Sequence, residues 1–480
     1  MSKTLKISSK ALLVVLPILC VIIAYLISKT EDKTGFIFIV TLLGLFIGTS
    51  AIVFPHFGYY FSIAFSFIAF DLNRLMPVGV SLISLIDFLI LATFLGFIIK
   101  KMIKKESFWE NCNHPIIYIY LLYAFYTLVQ LFNPNAVSSE VSISIVRKFF
   151  NLLLILYCSI QVFNTESAIK TFFKVWLFFA ALCASYGCYQ EWLGYPDYEL
   201  NYIMSDPLLV GLYTLTTGGL RKFSSLSDPK NFGLLMAACA LISIVFIQWK
   251  AIKGKAKAPY ILYLILFLLG MSYSGTRTAN FMMVMGVVMY SMMTFTNKNT
   301  LIFIMIASMV FVIIMYGPIY GNNTVNRIRS TFDFEKEESL KVRDVNRKNI
   351  QPYIYSHPIG GGLGTTGIDN LVENSSHPLA GFPPDSGYLL TALETGWIGL
   401  ILQMLVYFTI LQQGVKAFYH SNNINHRTYL LAAIVALFAF MVAQYAQVSI
   451  GQPPGLFIYY AGIAIIIRIS QMPSGVTGKS

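Results

Sequence analysis

Charge is what this sequence has least of. Only 12% of its 480 residues are Asp, Glu, Lys or Arg, where a soluble domain carries about 25%. An ordinary water-facing surface is thereby excluded. Cysteine is scarce too, at positions 20, 112, 158, 183, 188 and 239. None falls in the polar stretch 318–385, so disulfides do not hold that stretch. No Cys/His cluster has metal-ligand spacing, and neither a fixed-period repeat nor a low-complexity tract is visible. No basic stripe is interleaved with aromatics. The expectation is therefore no metal, no cofactor and no nucleic-acid partner.

What is present in abundance is apolar: 56% hydrophobic residues and a mean hydropathy of +0.67. The apolar runs are 11–28, 36–54, 57–70, 78–99, 115–132, 149–163, 171–193, 231–248, 260–273, 279–296, 300–317, 386–411, 429–449 and 455–468. A span needs roughly 20 residues and rarely fewer than about 17. The runs at 57–70, 149–163, 260–273 and 455–468 are short by that measure, so about 12–14 transmembrane helices are expected. The fold class is an all-α polytopic membrane protein, one domain over 1–480 with a long external loop at 318–385. The first run follows Lys3, Lys6 and Lys10 and lacks a small-x-small cleavage site, so it reads as an anchor, not a signal peptide.

Short loops rich in lysine stay in the cytoplasm. Lys100, Lys101, Lys104 and Lys105 form one such loop, and Lys250, Lys253, Lys255 and Lys257 another. Both termini then lie inside and 318–385 outside. The net charge of +12 is largely this topogenic signal together with arginines on the outer side.

Those arginines were not used to set the orientation, yet they share a face. Arg221 precedes Asp228-Pro229, which reads as a helix N-cap with proline at the first helical position. Arg277 closes the turn Ser274-Gly275-Thr276 and either snorkels or serves a site. Arg343 and Arg347, four apart, lie on one helix face and make a seat for phosphate. The glycines of His357-Pro358-Ile359-Gly360-Gly361-Gly362-Leu363-Gly364, Gly362 and Gly364 among them, let the backbone turn or approach a ligand closely. Fixed cations around one outer cavity suit an anionic group, though headgroup contact gives the same pattern. Asp385, where the loop enters a span, is either an N-cap or an acid/base group. Glu394 falls inside the membrane, either as a buried hydrogen-bonded residue or as a site residue. Asp87, expected some 14 Å deep, calls for a partner, with Arg74 as the candidate. His357 and His377 read as turn residues before they read as bases.

In this order, separated by spans, these pieces resemble the bacterial O-antigen polymerase/ligase family over roughly 170–410. The resemblance is carried by Arg221 with Asp228-Pro229-Lys230-Asn231-Phe232, by Ser274-Gly275-Thr276-Arg277, and by Arg343 with the His357–Gly364 segment. It ends with Asp385-Ser386-Gly387-Tyr388-Leu389 running into Glu394-Thr395-Gly396-Trp397-Ile398-Gly399. The family often has tryptophan where Arg347 stands. Its ligase branch has a histidine-asparagine pair where Asp385-Ser386 stands, so the aspartate is more similar to the polymerase branch.

The resemblance implies a membrane-embedded, GT-C-like glycosyltransferase in the bacterial cytoplasmic membrane. Its donor and acceptor would be glycans on undecaprenyl pyrophosphate, joined on the outer face into O-antigen, capsule or exopolysaccharide. A chain-length regulator and a flippase are the implied protein partners. Catalysis would rest on Arg277, Arg343 and Asp385. Arg221, Asp228, His357, Gly362, Gly364, Tyr388 and Glu394 would bind substrate, without metal and with inversion; Arg347 joins the substrate-binding set from its place on the helix face of Arg343 and not from the resemblance. The alternatives are a ligase to a final acceptor and a non-enzymatic lipid-linked sugar flippase. The latter usually shows paired repeats and broken midplane helices, of which the sequence gives no sign.

Overall fold

The computed structural model describes residues 32–75, 81–215, 218–249, 252–318, 321, 323–332, 338–367, 371 and 375–472. Side chains are described for all of these except 32–40, 323–324 and 338–343. The expected first span, 11–28, lies outside them.

The described chain is helical. It begins with α1 (Asp32–Val53), α2 (Pro55–Ser66), α3 (Ala69–Leu75), α4 (Ser84–Lys104), α5 (Pro115–Val129) and α6 (Ser139–Val162). There follow α7 (Glu166–Trp192), α8 (Asp197–Met204), α9 (Pro207–Tyr213), α10 (Pro229–Ile247), α11 (Ala258–Tyr273) and α12 (Arg277–Thr294). The last are α13 (Lys298–Tyr316), α14 (Asn323–Ser330), α15 (Glu338–Ser356), α16 (Gly387–His420), α17 (Ile424–Ala443) and α18 (Gly455–Gln471). Among the described residues the β feature is a single bridge between Thr214 and Leu220.

Eight of these helices are long and apolar enough to cross a membrane, which fits the expected polytopic all-α class. The helices start where the sequence supplies caps. Ser138, Thr165, Asp228, Ser386 and Asn423 each accept a backbone N–H of the helix they open, satisfying groups that have no intrahelical partner. The run at 57–70 divides, since α2 is 12 residues long and α3 only seven.

The core is the set of helices farthest from lipid. In α10 and α17, 83% of the most apolar window is buried; in α13 it is 6%. All three are apolar along their length, so lipid and protein interior draw on the same residue types. α10 packs against α11, α12 and α17, and α17 against α12, α16 and α18. α13 stands at the rim.

The bundle has two polar ends. One holds the Lys101–Glu110 pair at 3.2 Å and Glu166 bonded to Asn423, Asn425 and His426. The other holds Arg74, Arg221, Asp228, Arg327, Arg347 and Asp385. The short lysine loops and the arginines thus occupy opposite ends. Asp87 is an exposed residue in the first turn of α4 and bonds Asn151 Nδ2 at 2.6 Å. Arg74 is not its partner. That guanidinium donates to the carbonyls of Leu226 and Ser227 and lies over the rings of Tyr202 and Phe223. The helix begins at Ser84, later than the apolar run at 78–99 suggested, and this puts Asp87 in its first turn.

Candidate active site

The turn Ser274-Gly275-Thr276, between α11 and α12, is gripped from two sides by arginines from distant segments. Arg221 donates from Nε to Ser274 O at 3.1 Å, from Nη1 to Leu212 O at 3.2 Å and from Nη2 to Thr276 Oγ1 at 3.0 Å. These bonds engage three of its five N–H donors. Arg327, on α14, donates from Nε to Gly275 O at 3.1 Å. Arg277 follows the turn as the first residue of α12, where the helix dipole adds positive potential. Burial, and then the neighbouring Arg277, lower the pKa of Arg221, while Asp228 opposes the shift. Burial and Arg221 lower that of Arg327. Three guanidiniums thus crowd one turn, a costly arrangement that an anion would relieve.

Asp228 is the N-cap foreseen in the sequence. Its Oδ1 accepts from Lys230 N at 2.8 Å and Asn231 N at 3.0 Å, and its Oδ2 accepts from Asn231 Nδ2 at 2.6 Å. Asn231 also donates to Gln452 Oε1 at 3.1 Å. That bond joins the arginine turn to the segment 444–454.

The same segment reaches the two residues that follow Asp385. Ser386 Oγ donates to Gln444 O at 2.9 Å, and Gly387 N to the same oxygen at 2.8 Å. The cap of α16 is Ser386, whose Oγ accepts from Leu389 N, so Asp385 itself is not the capping residue. Arg347 donates to Tyr445 OH at 3.0 Å and to Tyr445 O at 3.1 Å, its guanidinium 4.6 Å over that ring. Arg343 and Arg347 do share α15, but the Arg343 side chain lies outside the described residues. Tyr388 turns into the bundle, where its hydroxyl donates to Met441 O.

The glycine segment makes its close approach to protein. Gly361 N donates to Leu393 O at 2.8 Å and Gly362 N to Glu394 O at 2.9 Å. At this point α16 is broken, for Gly396 has φ 72° and ψ −179°. A Cβ on Gly396 would collide with the Pro358 carbonyl oxygen. Gln130, Asn133 and Asn135 side chains, beyond the end of α5, donate to the carbonyls of Ile359 and Gly360. Gly362 packs on Ala136. Glu394 is buried; its carboxylate accepts from the Thr366 hydroxyl at 2.7 Å and from the backbone of Gly364 and Thr366. The segment 357–366 therefore re-enters the bundle and supplies partners to the broken helix. His357 stacks on Tyr353 with ring centroids 3.9 Å apart. His377, whose pKa burial lowers, accepts from Leu379 N and packs near Gly361.

The structure thus brings Arg221, Arg277 and Asp228 together at one turn, with Arg347 and the residues that follow Asp385 linked to them through 444–454. Gly362, Gly364 and Glu394 form a separate group around the break in α16. Arg327 is the residue the sequence did not single out. Its one signal was its position in a short amphipathic stretch of the polar loop.

Residues 262–404 match the family model described as O-antigen ligase. A comparison with curated proteins finds no match.

Proposed function

We propose that this chain, whose residues 262–404 match the O-antigen ligase family, is a membrane glycosyltransferase that polymerises lipid-linked oligosaccharide repeat units. In the reaction an acceptor hydroxyl oxygen bonds to the anomeric carbon of the donor glycan. The bond from that carbon to the diphosphate oxygen breaks, and its electron pair leaves on the polyprenyl diphosphate. The hydroxyl proton passes to a carboxylate, a role we assign to Asp385. A single displacement inverts the anomeric centre.

Negative charge grows on the phosphate oxygens along this path, so cations fixed beforehand stabilise the transition state more than the ground state. The observation that carries the reading is the convergence of Arg221, Arg277 and Arg327 on one turn. Arg343 joins them as a proposal from the sequence. The donor is taken to be an undecaprenyl pyrophosphate glycan in the cytoplasmic membrane, with the arginine end facing out.

A second reading has support in the description of the matched family: ligation of the finished glycan to a different acceptor. Purified protein given one synthetic lipid-linked repeat unit distinguishes the two. A ladder of products establishes polymerisation. A single transfer that needs a second, different acceptor establishes ligation and overturns the polymerase reading.

A further inference from the structure

At the lysine-bearing end, opposite the arginine turn, two cavities open side by side, and Trp249 lines both. The one between α10, α12, α16 and α17 has a volume of about 400 Å³. Lys298, which opens α13, and Arg427, in the first turn of α17, stand at its mouth. Val245, Met293 and Leu431 also line it, and Leu431 lies one turn beyond Arg427, roughly 6 Å deeper. The lining passes from cationic to apolar in the direction in which a lipid passes from headgroup to acyl chain.

Two observations select an anionic occupant. The cavity is lined by Lys298 and Arg427 and, among the described residues, by no carboxylate, whereas its neighbour is lined by Glu166 as well as Lys170. Arg427 is exposed, with its guanidinium 4.7 Å over the Phe418 ring, which holds the charge at the mouth. Trp249 is 7% exposed, yet its buried Nε1 has no hydrogen-bond partner among the described residues. An indole N–H can only donate, and Trp249 stands between the two cavities, so an oxygen could reach it only with a small shift of the ring.

We propose that this cleft seats the phosphate of an anionic membrane lipid, with the acyl chain along Val245, Met293 and Leu431. It lies at the opposite end of the bundle from the proposed transferase site and does not depend on that reading.

Native mass spectrometry of the purified full-length protein, with phosphatidylglycerol, phosphatidylcholine and inorganic phosphate as separate probes, tests the proposal. Phosphatidylglycerol should be retained in preference to phosphatidylcholine. A basic residue at an anionic lipid surface contributes about fivefold, so Lys298→Gln with Arg427→Gln should lose about 30-fold in affinity. Trp249→Phe should lose less, Lys104→Gln at the same end should lose nothing, and Arg427→Lys should restore binding, which separates loss of charge from loss of fold. Equal retention by wild type and the double variant overturns the proposal, as does equal retention of the two lipids. Saturation by inorganic phosphate without retained lipid would make it a site for the free ion.

Discussion

Arg277 and Arg221 meet at one turn. Arg221 bonds three acceptors at once, and lysine cannot reproduce that fork. Arg221→Lys should therefore lower both the thermal midpoint and transfer. Arg277→Lys keeps a positive charge at the first position of a helix and should cost on the order of 10²–10³ in transfer rate. Near-normal polymer from Arg277→Lys, at normal protein level, would make it a headgroup contact. Asp385 gains a cleaner test because Ser386 is the cap. Asp385→Asn keeps α16 intact and should cost about 10²–10⁴ in turnover if the carboxylate takes the acceptor proton; full-length chains from this variant would remove it from the mechanism.

Glu199, on α8, is fully buried and accepts from Gln190 Nε2 at 3.0 and 2.9 Å. Burial raises its pKa to about 7. Between the ordinary carboxylate value and about 7 the folded state binds more protons than the unfolded, so stability falls as pH rises through that window and levels off above it. The thermal midpoint of the purified protein should drop from pH 5 to pH 7, and Glu199→Gln should flatten that drop. Some of this residue-scale detail was legible beforehand. Asp228-Pro229 announces a cap because both residues act on their own helix. Arg327 announces nothing, because its partner is a carbonyl 52 positions away.

At the scale of elements, the glycine segment shows where sequence reading runs out. His357-Pro358 followed by glycines says that something must come close to the backbone. It does not say whether that thing is a ligand or another strand of chain. Here it is α16 at its break, and the φ and ψ of Gly396 belong to a region that only glycine enters freely. Gly396→Ala should destabilise the protein by at least the 1–3 kcal/mol of such strain, with the collision added. Gly455→Ala, with nothing within 4 Å, should be close to neutral. Comparable thermal midpoints for the two variants would show that the re-entrant segment is not anchored as described. Helix positions followed hydropathy well because span length is fixed by the bilayer. The break inside α16 did not, since an apolar window averages across one glycine.

For the whole molecule, the short lysine loops predict which end faces the cytoplasm. Single cysteines replacing Ser356 and Asn422, both exposed and at opposite ends, should react oppositely with an impermeant thiol reagent in intact cells. The five described native cysteines are buried and should stay silent. Labelling of the Asn422 position with the Ser356 position protected would invert the topology and place the arginine turn inside.

The burial pattern also carries a consequence for how the protein is made. α10 is among the most enclosed helices, yet it leaves the ribosome well before α17, the neighbour that encloses it. Between the two emergences α10 must wait in the bilayer with its future interface turned toward lipid, which its apolar composition allows. The re-entrant segment has no such freedom, because its backbone groups need Gln130, Asn133 and Asn135, already synthesised, and Leu393 and Glu394, still to come. Biogenesis is thus tolerant in the first half of the chain and exacting near residue 396, where the nascent protein must close its polar backbone around a helix just being delivered.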